Sequence, residues 1–256
     1  MRILVALKQV AARDARLRVN AAGTWIDESD LEYELNEPDA YALEAALDFR
    51  DRHGGEVAVV SAGPERAGRA IREALAKGAD RGILIETQEP GGGDPLCTAW
   101  WLAQAAAAEN PELILTGLQS EDAGYGQTGV LLAELLGWPH ATLIVEIEKA
   151  GAGLRLRREL EAGRFQYLEL ALPAVVAVQS GIRSLRYATL MGIKRAKTKP
   201  VSRLDPSAWG PPPEPAFQIA RVYAPQRAKR TEFLEGTAEE VAAKLVARLR
   251  GEARIL

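Results

Sequence analysis

Residues 57–86, VAVVSAGPERAGRAIREALAKGADRGILIE, decide the fold. Two apolar runs, at 57–61 and 82–86, are nearly continuous, as expected of strands buried on both faces of a parallel sheet. Between them, Pro64 opens a segment that Gly78 ends. Apolar side chains recur there at helical spacing: Ala67, Ala70, Ile71, Ala74 and Leu75. The stretch therefore predicts a strand–helix–strand unit.

The same alternation continues on both sides of this unit. Buried strands are predicted at residues 3–7 and 113–117. Caps and stops predict helices over residues 36–54, 94–110 and about 125–136, with Asn36 and Asp94 as N-caps. Alternating strands and helices predict an α/β class protein with a doubly wound, mostly parallel sheet and right-handed crossovers.

The pattern changes after residue 140. Residues 141–148, 154–160 and 164–170 have extended patterns, and turns at 151–153 and 162–163 predict β-hairpins between them. Residues 174–178, AVVAV, predict one more buried strand.

The C-terminal part contains many prolines and few obvious core residues, so we divide the chain into a domain at 1–199 and an arm at 200–256. Such a stretch is either a disordered linker or an arm on another polypeptide. Apolar side chains such as Trp209, Phe217 and Phe233 favour the arm. Thr237 and Glu240 predict a capping box for a final helix.

Composition excludes several function classes. The net charge of −3 gives no hint of nucleic-acid binding. One cysteine, Cys97, excludes a disulfide framework, and with only two histidines, His53 and His140, the sequence argues against a Cys/His metal site and His-based catalysis. The sequence shows neither a signal peptide nor an apolar run of membrane length, so we expect no membrane insertion and a cytoplasmic location.

The richest candidate site is residues 117–129, GLQSEDAGYGQTG, which follow a strand and precede a helix. Glycines let backbone amides approach an anion, and the helix N-terminus points at the same place. Gln127 and Thr128 add donors, so the loop suits a phosphate or diphosphate. It is neither a P-loop nor a GxGxxG fingerprint. The alternative is a polar connecting loop that binds nothing.

Together these segments resemble the β subunits of electron transfer flavoproteins over almost the whole chain. ILVALKQV, LNEPDAYALEAAL, VAVVSAGP, the glycine loop and, most specifically, RYATLMGIKRAK carry the resemblance. It implies an adenine nucleotide α-hydrolase-like fold and a subunit without catalytic residues or a metal. It also implies bound AMP and an α subunit that holds most of a redox-active FAD. Acyl-CoA dehydrogenases and similar flavin dehydrogenases would donate electrons, and a membrane quinone oxidoreductase would accept them.

The resemblance also implies roles for particular residues. Arg13 and Pro38 would lie near the partner's FAD. A loop at about 179–199 would recognise the dehydrogenase through Arg186, Tyr187, Leu190, Met191 and Ile193, and the arm would wrap the α subunit. The implied AMP contacts are Ala6, Asn36, Glu37, Pro38, Asp39, Ala62, Gly117, Gln119, Asp122, Ala123, Gly126, Gln127 and Thr128.

Some positions depart from the family pattern. Arg183-Ser184-Leu185 stands where Asn-Glu-Pro is common, Arg13 replaces an aromatic residue and Met191 replaces a proline. Electron-bifurcating relatives hold a second FAD in place of AMP, but the ending Gln127-Thr128-Gly129 resembles the AMP-holding type. The rival hypotheses are an adenine-nucleotide-binding sensor domain and a transferase or ligase of the nucleotide α-hydrolase type. The second needs a pyrophosphate signature that the sequence lacks.

Overall fold

The computed structural model describes residues 1–87, 93–225 and 231–252. The strands are β1 (Arg2–Ala6), β2 (Gln9–Ala11), β3 (Tyr33–Leu35), β4 (Glu56–Gly63), β5 (Arg81–Glu86), β6 (Leu113–Gly117), β7 (His140–Ala150), β8 (Gly153–Glu159), β9 (Phe165–Leu170), β10 (Ala174–Val178) and β11 (Val201–Leu204). The helices are α1 (Glu37–His53), α2 (Gly68–Lys77), α3 (Pro95–Glu109), α4 (Thr128–Leu136), α5 (Leu190–Ala196) and α6 (Ala238–Gly251).

A nine-stranded sheet has the order β11-β5-β4-β1-β6-β10-β7-β8-β9. Its strands pair in parallel from β11 to β7, and β8 and β9 continue it antiparallel. Strands β2 and β3 form a separate antiparallel pair. The chain builds the sheet outward from β1 through β4 and β5, then returns to add β6 on the other side of β1. The strand order therefore reverses between β1 and β6.

Helices cover both faces of the parallel part of the sheet. Along β1, Ile3 and Val5 pack in a cluster with α1 and α2, whereas Leu4 and Ala6 pack in a second cluster with α3 and α4. Successive side chains of a strand point to opposite faces, so β1 contributes to both cores. The predicted α/β class and doubly wound sheet are confirmed.

Most predicted helix ends match, but three differ. After Pro64 the chain first forms a 3-10 turn, Glu65–Ala67, and α2 begins at Gly68. Asp94 caps α3 as predicted, since its carboxylate accepts from the Leu96 amide at 2.6 Å. Asn36 precedes α1 without a side-chain capping bond. Helix α4 begins at Thr128 rather than near Tyr125, because Gly126 has a φ of 64°, a left-handed conformation that a helix does not allow.

The hairpin prediction is confirmed. Strand β7 pairs antiparallel with β8, and β8 with β9. Leu154 and Leu156 of β8 are buried, whereas Phe165 and Tyr167 of β9 are exposed. The hairpins thus extend the sheet with one covered face and an exposed outer edge.

The C-terminal division differs from the boundary predicted at 199/200. Strand β11 pairs in parallel with β5, and Trp209 beyond it packs on the α3–α4 cluster. The chain separates into a compact unit at Met1–Val222 and a second unit at Tyr223–Leu256. In the second unit, Thr237 and Glu240 form the predicted capping box of α6.

Candidate functional site

A cavity opens where the strand order reverses, at the carboxyl ends of β1 and β6. This is where open α/β sheets bind ligands. Most of the predicted nucleotide residues line it, namely Ala6, Asn36, Asp39, Ala62, Gly117, Gln119, Ala123, Gly126, Gln127 and Thr128. Glu37, Pro38 and Asp122 do not. Pro38 is buried beneath the site, and Asp122 reaches it only through a lysine described below.

The predicted loop at 117–129 also supplies Leu118, Ser120, Tyr125 and Gly129 to the lining. Sequence reasoning named no ligand contact at the other lining residues, namely Leu7, Lys8, Gly93, Pro95, Thr98, Leu102 and Thr116. Pro95, Thr98 and Leu102 belong to α3, whose predicted position gave no sign that it faces the loop. Lys8 and Thr116 had a usable signal, because each lies at the end of a predicted strand beside the expected site.

Asp39 joins the two central strand ends. One carboxylate oxygen accepts from the Lys8 amide at 2.7 Å, and the other accepts from the Gly117 amide at 3.0 Å. The side chain is buried, and burial raises the pKa of Asp39 to about 6 despite these hydrogen bonds. Asp39 therefore fixes the cavity floor, and both of its oxygens already have backbone donors.

Two glycines allow close approach around this floor. A Cβ on Gly117 would lie 2.6 Å from the Asp39 carboxylate and from the Pro38 carbonyl carbon. A Cβ on Gly129 would lie 2.8 Å from the hydroxyl oxygen of Thr116. Side chains at these positions would push α1 or α4 away from the end of β6.

Asn36 and Arg13 hold the glycine loop on the start of α1. The Asn36 side chain donates to the Gln119 carbonyl at 3.3 Å and accepts from the Glu121 amide at 3.0 Å. The Arg13 guanidinium pairs with Glu121 at 2.6 Å and also with Glu37. Asn36 thus stabilises the loop, whereas the Arg13 side chain, which is 61% exposed, lies on the loop's outer side.

Lys8 brings the cavity a positive charge. Its ammonium is 2.7 Å from the Asp122 carboxylate and 3.4 Å from the Ser120 hydroxyl. Burial would raise the pKa of Asp122, but the charge of Lys8 and its hydrogen bond outweigh burial and lower that pKa. The pair is therefore ionised and ties the end of β1 to the loop.

Residues 213–217, before Val222, pack against residues that neighbour the cavity. The Phe217 ring meets Tyr125 edge-on, with centroids 5.1 Å apart, and the Phe217 amide donates to Asp94 at 3.2 Å. The buried Cys97 thiol donates to the Pro213 carbonyl at 3.3 Å. Cys97 is therefore a buried residue in the first turn of α3. The arm's first part thereby contacts both α3 and the glycine loop.

The lining is chemically suited to a phosphate ester. The Thr116 hydroxyl oxygen is buried and has no hydrogen-bond partner among the described residues, so its hydrogen-bonding capacity is unused. The amino end of α4 and the glycine loop add backbone amides. Within the described ranges, His, Cys, Asp and Glu form no metal-binding group, and no described helix is long and apolar enough to cross a membrane.

Comparison with known proteins decides the family. A family model described as "Electron transfer flavoprotein domain" matches residues 23–209. Electron transfer flavoprotein subunit beta of Methylophilus methylotrophus is 36% identical, over 96% of this chain and 97% of its own length. The subunit beta of Homo sapiens is 34% identical over 96% of each chain, and that of Bacillus subtilis is 30% identical over the full length of both.

The chain belongs to the electron transfer flavoprotein family. The predicted resemblance is confirmed. The relatives' names describe electron carriers and subunits of an assembly, so membership supports a role in electron transfer.

The predicted recognition segment, at about residues 179–199, is fastened to α1 at its start. Arg186 pairs with Glu44 at 2.9 Å and with Asp51 at 3.1 Å. Arg183 pairs with Asp48 at 2.8 Å. Arg183, which departs from the family pattern, therefore adds an ion pair to the same acidic face of α1. Arg186 is held in ion pairs within the chain and so anchors the segment.

The end of the segment is fastened to α2. A Cβ on Gly192 would lie 2.3 Å from the Ala76 carbonyl oxygen, so α5 lies directly against the α2 backbone. Arg72 donates to the carbonyls of Ala196 and Lys199 at 2.7 and 3.0 Å. Between these anchors, Tyr187 is 93% exposed and Leu190 87%, with Met191 and Ile193 also exposed. The segment presents an apolar patch on a fixed base.

Proposed function

We propose that this chain is the β subunit of a heterodimeric electron transfer flavoprotein. It binds AMP as a structural element and helps to hold the FAD of an α subunit. It docks acyl-CoA-type flavin dehydrogenases and relays electrons toward a membrane quinone oxidoreductase. The observation that carries this proposal is the similarity to curated β subunits over nearly the whole chain, across both the cavity and the recognition segment.

The AMP proposal rests on the cavity between β1 and β6. Its lining suits a mononucleotide. Ala6 and Ala62 have small side chains that leave the backbone accessible, and the polar groups near them are the buried Thr116 hydroxyl and the side chains of Gln127 and Thr128. Asn36 and Asp39 would position the loop and the strand ends. We therefore assign these two residues a supporting role in nucleotide binding.

The FAD proposal concerns the outer side of the glycine loop. When bound, FAD supplies the electron-carrying chemistry. Arg13 would offer the flavin a fixed positive charge, oriented by Glu121 and Glu37. Pro38 would act indirectly by shaping the start of α1, because it is buried.

The docking proposal rests on the exposed patch of Tyr187, Leu190, Met191 and Ile193. Exposed apolar patches on rigid bases are typical protein interaction sites. Leu190 would enter a pocket of the dehydrogenase, while Arg183 and Arg186 hold the segment in place. We also propose a cytoplasmic location, although the names of relatives in rice and Arabidopsis include "mitochondrial".

Co-expression with an α subunit tests the proposal. We expect a yellow heterodimer whose extract contains one FAD and one AMP for each pair of chains, and a colourless β chain when it is expressed alone. Two FAD and no AMP would replace the AMP proposal by the electron-bifurcating type. A monodisperse monomer that ignores the α subunit would contradict the heterodimer itself.

A further inference from the structure

One cation, Lys8, stands among the described residues that line the cavity. Its ammonium lies 2.7 Å from the Asp122 carboxylate and near the Ser120 hydroxyl. Lys8 lines this cavity, and Lys8 and Asp122 together line the adjacent cavity beside Arg66 and Trp101, so the ion pair stands between the two cavities with Lys8 as its member on the nucleotide side. The cavity thus meets a positive charge that a nearby carboxylate has already neutralised.

We propose that Lys8 binds the phosphate of the nucleotide and that Asp122 restricts the site to nucleoside monophosphates. This inference rests on the nucleotide binding proposed above and deepens it by naming the residues that set phosphate number. Neither residue takes part in a covalent step. Lys8 donates a charge-assisted hydrogen bond, and Asp122 limits the total negative charge that the site accepts.

The charge balance supports this assignment. A monophosphate carries roughly two negative charges at neutral pH. The loop and the amino end of α4 offer backbone dipoles, and Lys8 offers the one full positive charge in the described lining. Each further phosphate group adds negative charge near the carboxylate of Asp122, and the described lining adds no cation to compensate.

Asp122 is fixed in place. The carboxylate oxygen that receives Lys8 also accepts from the Ala123 amide at 2.6 Å. A ligand can therefore share Lys8, but it does not easily displace the aspartate from the loop. The repulsion of a longer phosphate chain would persist in the bound state.

The Thr116 hydroxyl is a second, independent sign of a ligand in this cavity. Thr116 lines the cavity at the end of β6, and its buried oxygen has no partner among the described residues. Buried hydroxyls without a partner are uncommon. The Thr116 hydroxyl lies close to Gly129 of α4. This unpartnered oxygen is therefore near the amino end of the helix, which would face a phosphate.

The test measures the affinities of adenosine, AMP, ADP and ATP by calorimetry. The full-length chain is freed of nucleotide, and the variants are Lys8→Met and Asp122→Asn. Lys8→Met should weaken AMP about tenfold or more while adenosine changes less than about twofold, since a hydrogen bond to a charged group is lost. Asp122→Asn keeps the acceptor oxygen for Ala123 and should strengthen ATP relative to AMP by about fivefold. Lys77→Met, which removes a lysine paired with Glu73 on α2, is the control and should change neither ratio.

The outcomes separate this inference from the function on which it rests. If the wild-type chain binds neither AMP nor adenosine, both are overturned. If it binds AMP but Lys8→Met weakens adenosine equally, Lys8 acts on the fold of the site and the phosphate role is wrong. If Asp122→Asn leaves the ATP-to-AMP ratio unchanged, Asp122 does not set the phosphate number.

Discussion

At the scale of single residues, Asp39 is the most informative side chain of the site. Its carboxylate is buried, and it holds the amides of Lys8 and Gly117 at the ends of β1 and β6. A buried charge is unfavourable even with two donors, which is why its pKa is raised. The strand junction at the cavity should therefore respond to pH.

The pKa of Asp39 sets the direction of this response. Its value of about 6 exceeds the ordinary 3.8, so the folded protein binds more protons than the unfolded chain between these values. Asp39 therefore favours the folded state at low pH, and this contribution is lost as pH rises through about 6. The Asp39→Asn variant lacks this pH-dependent contribution to stability.

We expect the free energy of unfolding of the wild type, minus that of Asp39→Asn, to fall between pH 4 and 7. The fall should reach about 3 kcal/mol at most. Urea unfolding across this range measures it. Asp122→Asn is a control, because the pKa of Asp122 lies below the ordinary 3.8 and its contribution to stability changes mainly below pH 4, so it should be nearly constant across this range. Parallel wild-type and Asp39→Asn curves would show that Asp39 titrates as an ordinary carboxylate.

The residues of the site were partly predictable from sequence. The loop from Gly117 to Thr128 was found because glycines, polar donors and a helix start follow one strand directly. Thr98 and Leu102 were missed because their place in the lining depends on how α3 packs across the sheet. A local sequence pattern does not predict this packing. Asp39 was found, but its bonds to backbone amides are tertiary and gave no sequence signal.

At the scale of elements, the recognition segment combines rigid ends with an exposed middle. Ion pairs from Arg183 and Arg186 secure it to α1, and Gly192 brings α5 against α2. A fixed segment loses little conformational entropy when it binds, so its apolar side chains can contribute most of their burial to affinity.

Leu190→Ala tests this element. Leu190 is 87% exposed, so its truncation should leave the flavin content and the heterodimer intact. We expect the rate constant for reduction by a partner dehydrogenase to fall about tenfold or more, because a buried interface leucine is worth about 2 kcal/mol. Stopped-flow absorbance of the flavin measures this rate. Leu17→Ala, at a leucine 58% exposed outside the segment, serves as the control. Loss of flavin in Leu190→Ala would mean that the segment has another role.

The strands differ in how clearly the sequence predicts them. The central strands were predicted because burial on both faces leaves continuous apolar runs such as Val57–Val60. Strand β11 was missed because Ser202 and Arg203 are exposed at the sheet edge, so its sequence carries little hydrophobic signal. Strands β2 and β3 span three residues each, too few for a period to appear.

At the scale of the whole molecule, the second unit contains a helix that its own unit does not bury. In α6, Leu245 is 47% exposed, and none of the described side chains of the helix is buried. Isolated helices of this length are marginal in water. A partner surface such as that of an α subunit would stabilise it.

Leu245→Glu tests that role. Glutamate keeps the helix propensity, so the change acts through the apolar face. We expect heterodimer affinity to fall about tenfold, while the affinity of the first unit for AMP stays unchanged. Analytical ultracentrifugation and calorimetry provide the two readings. Ala243→Glu, which adds the same single negative charge at an exposed position on the same helix, controls for charge. Unchanged assembly in Leu245→Glu would remove α6 from the interface.

The contact between Gly192 and the Ala76 carbonyl sets a rule for protein engineering. Exchanging the recognition segment between family members is an obvious way to redirect such a carrier to a different electron donor. In a transplanted segment, any side chain at position 192 would clash with the Ala76 carbonyl oxygen, so α5 would have to shift away from α2. A successful chimera must therefore transplant the small residue together with the exposed patch, or reshape the helix beneath it.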